Sequence, residues 1–306
     1  MKTPLNDLLL AGALALLPPC ALAWPGEAMQ TFIERGRPTT VLDIDNDTLL
    51  LTGSDRFYTS GLRLSQSYRM RVDDGWESMG WRVGQQLYTA SSIQRRAEQF
   101  AALDHPYAGW IYAGLFHRRE AGDGSELAYG LDLGCLGPCA GGEWTQNGLH
   151  RLLHQPRPVA WNTQIGTEAG FVFLVGARGP YWSLGDRIDL RPGVAARVGN
   201  IFTDLSAEAT VRAGELHGDP RGSSSYGFLR VAARAVGHDA TLQGGWLTGT
   251  NARTVGPKRL TGEAALRVGA GKVRIATVAP AALPLGVAMP ECAVLALPHD
   301  EDGELA

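Results

Sequence analysis

The sequence predicts an all-β protein and, within that class, an antiparallel transmembrane β-barrel. Several segments alternate apolar and polar residues. In the clearest, residues 58–72, one face carries Arg63, Arg69 and Arg71 while the other is apolar. Such a strand suits a barrel wall that is charged toward the lumen and apolar toward lipid. Beyond the leader, no run of about 18 apolar residues could form a membrane-spanning helix. A soluble β-sandwich alternates too, but repeated arginines do not suit its inner face.

Residues 1–23 have the features of a secretory signal peptide. Lys2 precedes an apolar run at 8–17, and an Ala-Leu-Ala motif at 21–23 provides a cleavage site between small residues. We therefore expect an exported protein. The net charge of −3, with lysines and arginines dispersed along the chain, gives no reason to expect nucleic acid as a partner.

The chain after the leader is predicted to form about eleven strands. Residues 39–47 begin the series, with Asp43 and Asp45 on one face and Leu42 and Ile44 on the other. Residues 58–72 follow. Further strands are expected at 81–88, 109–118, 126–136, 164–177, 182–192, 193–202, 205–213, 226–236 and 262–268.

One segment has helical rather than strand periodicity. Residues 141–154 open with a glycine pair and end before two prolines, which is typical of a short helix. His150 lies four residues after Gln146 and three after Asn147, so these side chains project from one side of that helix. A polar stripe of this kind is a candidate site. The alternative is a surface helix whose polar side faces water.

The cysteines after the leader allow two interpretations. Cys135 and Cys139 could pair across a tight loop in an oxidising compartment, or they could be two unpaired small residues near a strand end. Cys292 leaves an odd number, which argues against a disulfide framework.

The C-terminal part does not fit the barrel pattern. Residues 24–275 are predicted to form the barrel domain, whereas 276–306 are rich in Ala, Pro and Leu and end in an acidic stretch. Prolines at this density should not support a ladder of backbone hydrogen bonds. A barrel is expected to end in a closing strand, and we predict that this strand is missing or replaced.

Six short motifs occur in a fixed order between residues 46 and 161. They are Asn46-Asp47; Asp55-Arg56-x-Tyr58-Thr59-x-Gly61; Gln86-x-Tyr88; His105-Pro106-Tyr107-Ala108-Gly109-Trp110; Asp132-x-Gly134 with Gly137-Pro138; and Gln146-Asn147-x-x-His150-Arg151 with Trp161. Together they resemble the outer-membrane lipid A 3′-O-deacylase family. Each motif alone is weak, but six in the order of the family are specific.

The resemblance implies a barrel of twelve strands with its active site between the wall and the helix. It implies calcium-dependent hydrolysis of an acyl ester of lipid A, by a monomer in the outer membrane acting on lipopolysaccharide. The implied site residues are His150 as general base, Asn46 and Gln146 as orienting residues, Asp47 and Thr59 as calcium ligands, and Arg95 and Arg96 as phosphate-binding residues. An imidazole titrates near neutral pH, and a hard cation held by oxygens can stabilise an oxyanion, so this chemistry is consistent.

One position departs from the family pattern. An acidic residue that some members carry six positions after the histidine is Pro156 in this sequence, so any role of that residue in metal binding or histidine orientation is lost or moved. Two alternatives remain: an outer-membrane phospholipase with a serine nucleophile, and a non-enzymatic, porin-like barrel. No G-x-S-x-G motif occurs, which argues against a serine esterase of the nucleophile-elbow kind.

Overall fold

A computed structural model describes residues 25–46, 57–99, 104–216, 226–249, 273–278 and 292–297. Ten strands form one antiparallel sheet that curls into a half-barrel, which confirms the predicted fold class. They are β1 (Arg37–Asn46), β2 (Phe57–Val72), β3 (Gly75–Thr89), β4 (Ala108–Glu120), β5 (Glu126–Leu136), β6 (Glu168–Arg178), β7 (Trp182–Ser183), β8 (Ile188–Gly199), β9 (Phe202–Gly214) and β10 (Tyr226–Asp239). Neighbours in the chain pair, except that β7 is a side strand on β8, and β6 pairs with β8. Within the described residues, no helix has the length and apolarity needed to cross a membrane.

The inner face of the sheet carries a ladder of ion pairs. The antiparallel register sets Arg63 opposite Asp43, and its guanidinium donates to that carboxylate at 2.8 Å. Further pairs on this face join Arg82 to Asp132, Arg178 to Glu126 and Glu208, Arg191 to Glu126, Arg197 to Asp204, and Arg212 to Asp189. The charged side chains therefore face the lumen, as the alternation predicts.

The outer face of the same strands is apolar. Large apolar side chains that alternate with the ion-paired ones remain exposed. They include Leu42, Ile44, Leu62, Val83, Ile111, Leu115, Leu131, Leu133, Phe171, Val194 and Leu205. A sandwich would bury such a face against a second sheet, whereas a membrane barrel turns it toward lipid.

The two ends of the sheet differ in their connections. At the lower end, a two-residue turn joins β2 to β3, and helix α1 (Pro25–Arg35) places Phe32 edge-on against His117, with ring centroids 6.1 Å apart. At the upper end lie the described parts of the connection after β3, 90–99 and 104–107, and the connection after β5, 137–167. Their helical pieces are the 3-10 turns Ala97–Gln99, Pro138–Ala140 and Trp161–Thr163, and helix α2 (Gly142–Leu152); helix α3 (Ala240–Gln243) follows β10 at the same end.

An aromatic core fills the lumen at the upper end. Trp110 stacks on Tyr112 with ring centroids 6.0 Å apart, and Tyr88 stacks on His105 at 5.5 Å. The buried cluster comprises Tyr88, Ala108, Trp110, Tyr112, Leu136, Ile165, Val172, Ile201, Phe202 and Ala240. Because this cluster packs the inner face, the upper ends of the strands form a rigid support for segments that contact their outer face.

The structure divides the segment 182–202 differently from the prediction. The sequence predicts strands at 182–192 and 193–202, but 182–183 form the short β7, and 188–199 run continuously through Pro192 as β8. The N–H and the carbonyl of one strand residue point toward the same neighbour. The carbonyl of Pro192 accepts from the Gly179 N–H, on the side of β6 and just beyond its last residue. The N–H that proline lacks would therefore face this side too, so its absence removes no bond to β9. The strand predicted at 262–268 lies outside the described residues.

The C-terminal part forms strands of a different kind. β11 (Val273–Val278) and β12 (Cys292–Leu297) pair in parallel in a two-stranded sheet of their own. The expectation that prolines prevent any ladder here is wrong for these two segments, because Pro280, Pro284 and Pro290 lie between the strands rather than in them. In the described part of the chain, neither strand pairs with the ten-stranded sheet. The division at residue 275 stays a prediction.

Candidate active site

Helix α2 lies against the outer face of the wall, at its upper end. Leu87 of β3 and Gly109 of β4 are directly opposite in the register, and they share the outer face with Ile111. A Cβ atom added to Gly142, the first residue of α2, would lie 2.6 Å from Trp161 and 3.0 Å from Leu87. The glycine therefore allows the start of the helix to approach the strands closely.

The chain enters α2 through a tightly constrained bend. Cys135, near the end of β5, and Cys139, in the 3-10 turn, form a disulfide, so the structure supports pairing over two free thiols. Gly137 and Gly141 on either side of that turn have φ of 87° and 67°, a conformation that favours glycine. Gln85 Nε2 also donates to the carbonyl of Ala140 at 2.6 Å. Together these contacts set where α2 begins relative to the wall.

Gln146 anchors the middle of α2. Trp161 Nε1 donates to Gln146 Oε1 at 2.9 Å, and both side chains are buried. The indole ring packs with Leu87, Ala90, Tyr107 and Ala160 in a small apolar cluster. Gln146 thus links the helix to the loop that follows it. Its expected role in setting the imidazole of His150 stays a prediction.

His150 lies one turn further along the same side of α2. Its side chain is only 5% exposed, and Nδ1 lies 2.6 Å from the backbone carbonyl of Pro156. Because a carbonyl oxygen only accepts, Nδ1 carries the proton and Nε2 is the basic nitrogen of the neutral ring. The carbonyl of Pro156 therefore orients the imidazole. The sequence alone did not show which group takes this role, because position 156 lacks the acidic side chain of some family members.

Thr59 reaches the outer face through an irregularity in β2. The register with β3 shifts between Tyr58 and Ser60, so Thr59 is an extra residue in that strand. Its Oγ1 lies 2.6 Å from Oγ1 of Thr89, which shares the outer face with Leu87, and both hydroxyls are buried. Thr59 and α2 therefore occupy the same face at the same end.

The end of β1 brings a further predicted residue to this end of the sheet. Asn46, the last residue of β1, pairs in register with Ser60, directly beside the Thr59 irregularity. Asp47, the predicted calcium ligand, lies outside the described residues. The fold thus places the backbone of Asn46 next to the Thr59 irregularity, as a shared site requires.

Arg95 and Arg96 lie further out, in the connection after β3. Both side chains are exposed, and the Arg96 N–H donates to Gln99 Oε1 at 2.9 Å. Their loop touches the loop after α2, where the Val159 N–H donates to the carbonyl of Ile93 at 3.0 Å. The structure places both arginines at the rim of the site rather than in its buried part.

Comparison with known proteins identifies the family. A family model described as outer membrane protein LpxR matches residues 8–278, which is most of the chain. The chain belongs to the LpxR family. A solved structure, LpxR from Salmonella typhimurium, is similar with a TM-score of 0.58 and 25% identity; the similarity covers 72% of this chain and 83% of that one. Both findings confirm the resemblance inferred from the six motifs.

A second similarity is much shorter. The chain is 48% identical over 59 residues to ADP-dependent (S)-NAD(P)H-hydrate dehydratase of Xanthomonas campestris, which is 19% of this chain. The chain spans only 20% of the length of that relative. LpxR membership therefore covers far more of the chain than this match does.

The candidate site contains partners that the sequence does not predict. The motifs include Trp161, but its bond to Gln146 had no sequence signal beyond that match. Thr89 looks like an ordinary strand residue, and no side-chain pattern predicts that Pro156 orients His150 through its backbone. Each of these partners depends on contacts between segments that are separate in the chain.

Proposed function

We propose that this LpxR family member is a lipid A deacylase that hydrolyses the 3′-linked acyloxyacyl ester of lipopolysaccharide in the outer membrane. The observation that carries the proposal is the Nδ1 contact of His150 to Pro156, on a helix held against the lipid-facing wall. It provides a histidine with a set tautomer on the outer face of the barrel. An ester bond of a membrane lipid is accessible from that side.

His150 supplies the proton transfers in this proposal. Nε2 takes a proton from water as the oxygen attacks the ester carbonyl, forming a tetrahedral intermediate. The bond to the sugar oxygen then breaks, and the imidazolium returns its proton to that oxygen. The products are the free acyloxyacyl acid and a sugar hydroxyl. The Pro156 carbonyl stabilises the imidazolium between these steps, because it accepts from the Nδ1–H throughout.

The proposed calcium ion would be held by oxygen ligands. No group of three or more His, Cys, Asp or Glu side chains that could hold a metal ion occurs among the described residues. The Thr59 hydroxyl and the Asp47 carboxylate are nevertheless hard donors of the kind calcium prefers, and Thr59 is buried at the proposed position. A bound calcium ion would polarise the ester carbonyl. Asn46 would donate to the substrate or orient it.

Arg95 and Arg96 would bind a phosphate group of lipid A. Their exposure at the rim supports contact with a headgroup rather than with the reacting ester. A guanidinium can bind phosphate oxygens through two parallel hydrogen bonds, which favours arginine at such a position.

Mass spectrometry of lipid A from cells with and without the protein tests this function. We expect loss of the 3′-linked acyloxyacyl unit only when the protein is present. New lysophospholipid with unchanged lipid A would instead identify a phospholipase. No change in either lipid would contradict both enzymatic functions and favour the passive barrel.

A further inference from the structure

Helix α2 exposes a broad apolar side. Trp144 is 82% exposed and Leu152 is 74% exposed, and Leu149, Leu153 and the nearby Val159 are exposed as well. Because successive helical residues are about 100° apart, Trp144 and Leu152 lie on the side opposite the buried Gln146 and His150. Side chains of this size and exposure in one patch mark an interaction surface.

The flanks of α2 differ in polarity. Glu143, Asn147 and Arg151 follow one flank, beside His150, whereas Leu149 and Leu153 follow the other. A helix with one apolar flank and one polar flank is typical of elements that lie in a membrane interface. The polar flank would then face water and headgroups.

The position of α2 connects this apolar side to the lipid-facing band. The helix starts over Gly109, and Ile111, an exposed residue of the outer face, is two positions along the same strand. At about 3.4 Å per residue, the two positions are only about 7 Å apart. The apolar side of α2 therefore continues the outer face of a chain from an outer membrane protein family.

We infer that the exposed apolar side of α2 is buried among the acyl chains of the outer leaflet. Longer loops of such barrels lie at the outer surface, and both long connections are at the α2 end. Hydrocarbon would cover Trp144, Leu152 and Leu153, which are otherwise exposed apolar surface. A second copy of the chain is the competing occupant, and it predicts a dimer instead.

This contact also specifies how substrate is recognised. Resting on the proposed function, we infer that the acyl chains of lipid A lie along this side of α2, so that the helix holds His150 at the depth of the ester. Loss of the apolar side should raise KM and leave kcat nearly unchanged, because the side chains touch the chains and not the reacting atoms.

Fluorescence in vesicles tests the lipid contact without relying on activity. The full-length protein and Trp144→Phe are reconstituted in phosphatidylcholine vesicles with brominated acyl chains. We expect bromine to quench part of the wild-type tryptophan fluorescence. That quenched part should be missing from the signal of Trp144→Phe. Absence of quenching at Trp144, or a dimer in detergent by sedimentation, overturns the lipid contact.

Two charged variants then test substrate binding. Leu152→Glu should raise KM for lipid A about tenfold or more, since a carboxylate is costly among acyl chains. Leu247→Glu is the matched control: Leu247 is 79% exposed at the same end, in a loop whose backbone Glu168 holds. Equal effects in both variants would overturn the role of α2 in substrate binding. The wild-type protein could also show quenching at Trp144 and yet leave lipid A intact. That result would overturn both the substrate role of α2 and the proposed function. The contact of α2 with lipid would still hold.

Discussion

At His150, the orientation of the ring depends on a backbone group. The Pro156 carbonyl lies 2.6 Å from Nδ1, so the assignment of Nε2 as the base does not require a carboxylate beside the ring. A backbone carbonyl cannot be removed by side-chain substitution, which makes this orientation tolerant of sequence change at position 156. The loss of an acidic residue at Pro156 is therefore compatible with a histidine base.

Replacing His150 with asparagine should remove the base and retain the contact. The asparagine amide can still donate toward the Pro156 carbonyl, so we expect a folded barrel with deacylation reduced about 10²–10⁴-fold. His154→Asn is the matched control, because His154 is exposed just after α2 and its φ of 55° is one that asparagine tolerates. Deacylation is measured on purified lipid A, and folding by heat-modifiable mobility on a gel. Near-full activity of His150→Asn would exclude His150 as the base.

Calcium dependence is a second prediction at this scale. Asp47→Asn should weaken calcium binding and lower activity, since removing a formal charge from an oxygen site most affects a hard divalent ion. Thr59→Val should act in the same direction by removing a buried hydroxyl while keeping the side-chain shape. The measurement is calcium binding by titration calorimetry alongside activity in chelator. Full activity in excess chelator would contradict the metal assignment, and magnesium should substitute poorly because it requires tighter octahedral geometry.

At the scale of elements, the start of α2 is fixed by more restraints than its sequence suggests. The disulfide between Cys135 and Cys139 ties the turn before the helix to β5, and Gln85 holds the carbonyl of Ala140. Further along, the Trp161 bond to Gln146 ties the helix to its following loop. The position of His150 relative to the wall therefore depends on contacts at both ends of the helix.

Removing the disulfide should disturb the site more than the barrel. The double variant Cys135→Ser, Cys139→Ser opens a loop of only four residues in sequence separation, so the loop-closure relation limits the loss of stability to about 2 kcal/mol. A shift of the helix can nevertheless cost up to about 10²-fold in rate. We expect faster proteolysis within 137–161 and lower activity, with Cys292→Ser as a control that changes neither. Unaltered proteolysis and activity would show that the disulfide does not position α2.

For the whole molecule, the outward-facing apolar band and the inward-facing ion pairs define a barrel wall, but in the part of the chain that the structure describes neither C-terminal strand pairs with it. β11 and β12 use their backbone groups in a parallel pair with each other. Backbone groups at membrane depth must be paired, because each unpaired group costs several kcal/mol. Among the described residues, neither strand contributes a ladder to the ten-stranded wall.

We predict that residues after about 275 do not complete the barrel. This chain should assemble less well than a version in which 276–306 are replaced by an alternating strand ending in an aromatic residue. The measurement is delivery to the outer membrane, with resistance to protease and to unfolding in cold SDS. Equal resistance of the two versions would show that the unaltered chain contains its own closing strand.

The sequence alone predicted most of the strands, their two faces and the family. A period of two is a local property, so Arg63 and Leu62 could be assigned to opposite faces without knowing their neighbours. The ordered motifs likewise identified His150 and Thr59 as candidates. Strand ends within 179–202 were less certain, because whether Pro192 is tolerated depends on which strand has ended beside it.

Only the tertiary structure decided how the site is assembled. It placed α2 on the outer face, moved Thr59 to that face through an irregular register, and gave His150 its partner in the Pro156 backbone. These features depend on packing between segments distant in the chain, where side-chain shape and register act together. A local sequence pattern does not specify such contacts. The residue types therefore predicted the kind of chemistry, and the fold determined the geometry of the site.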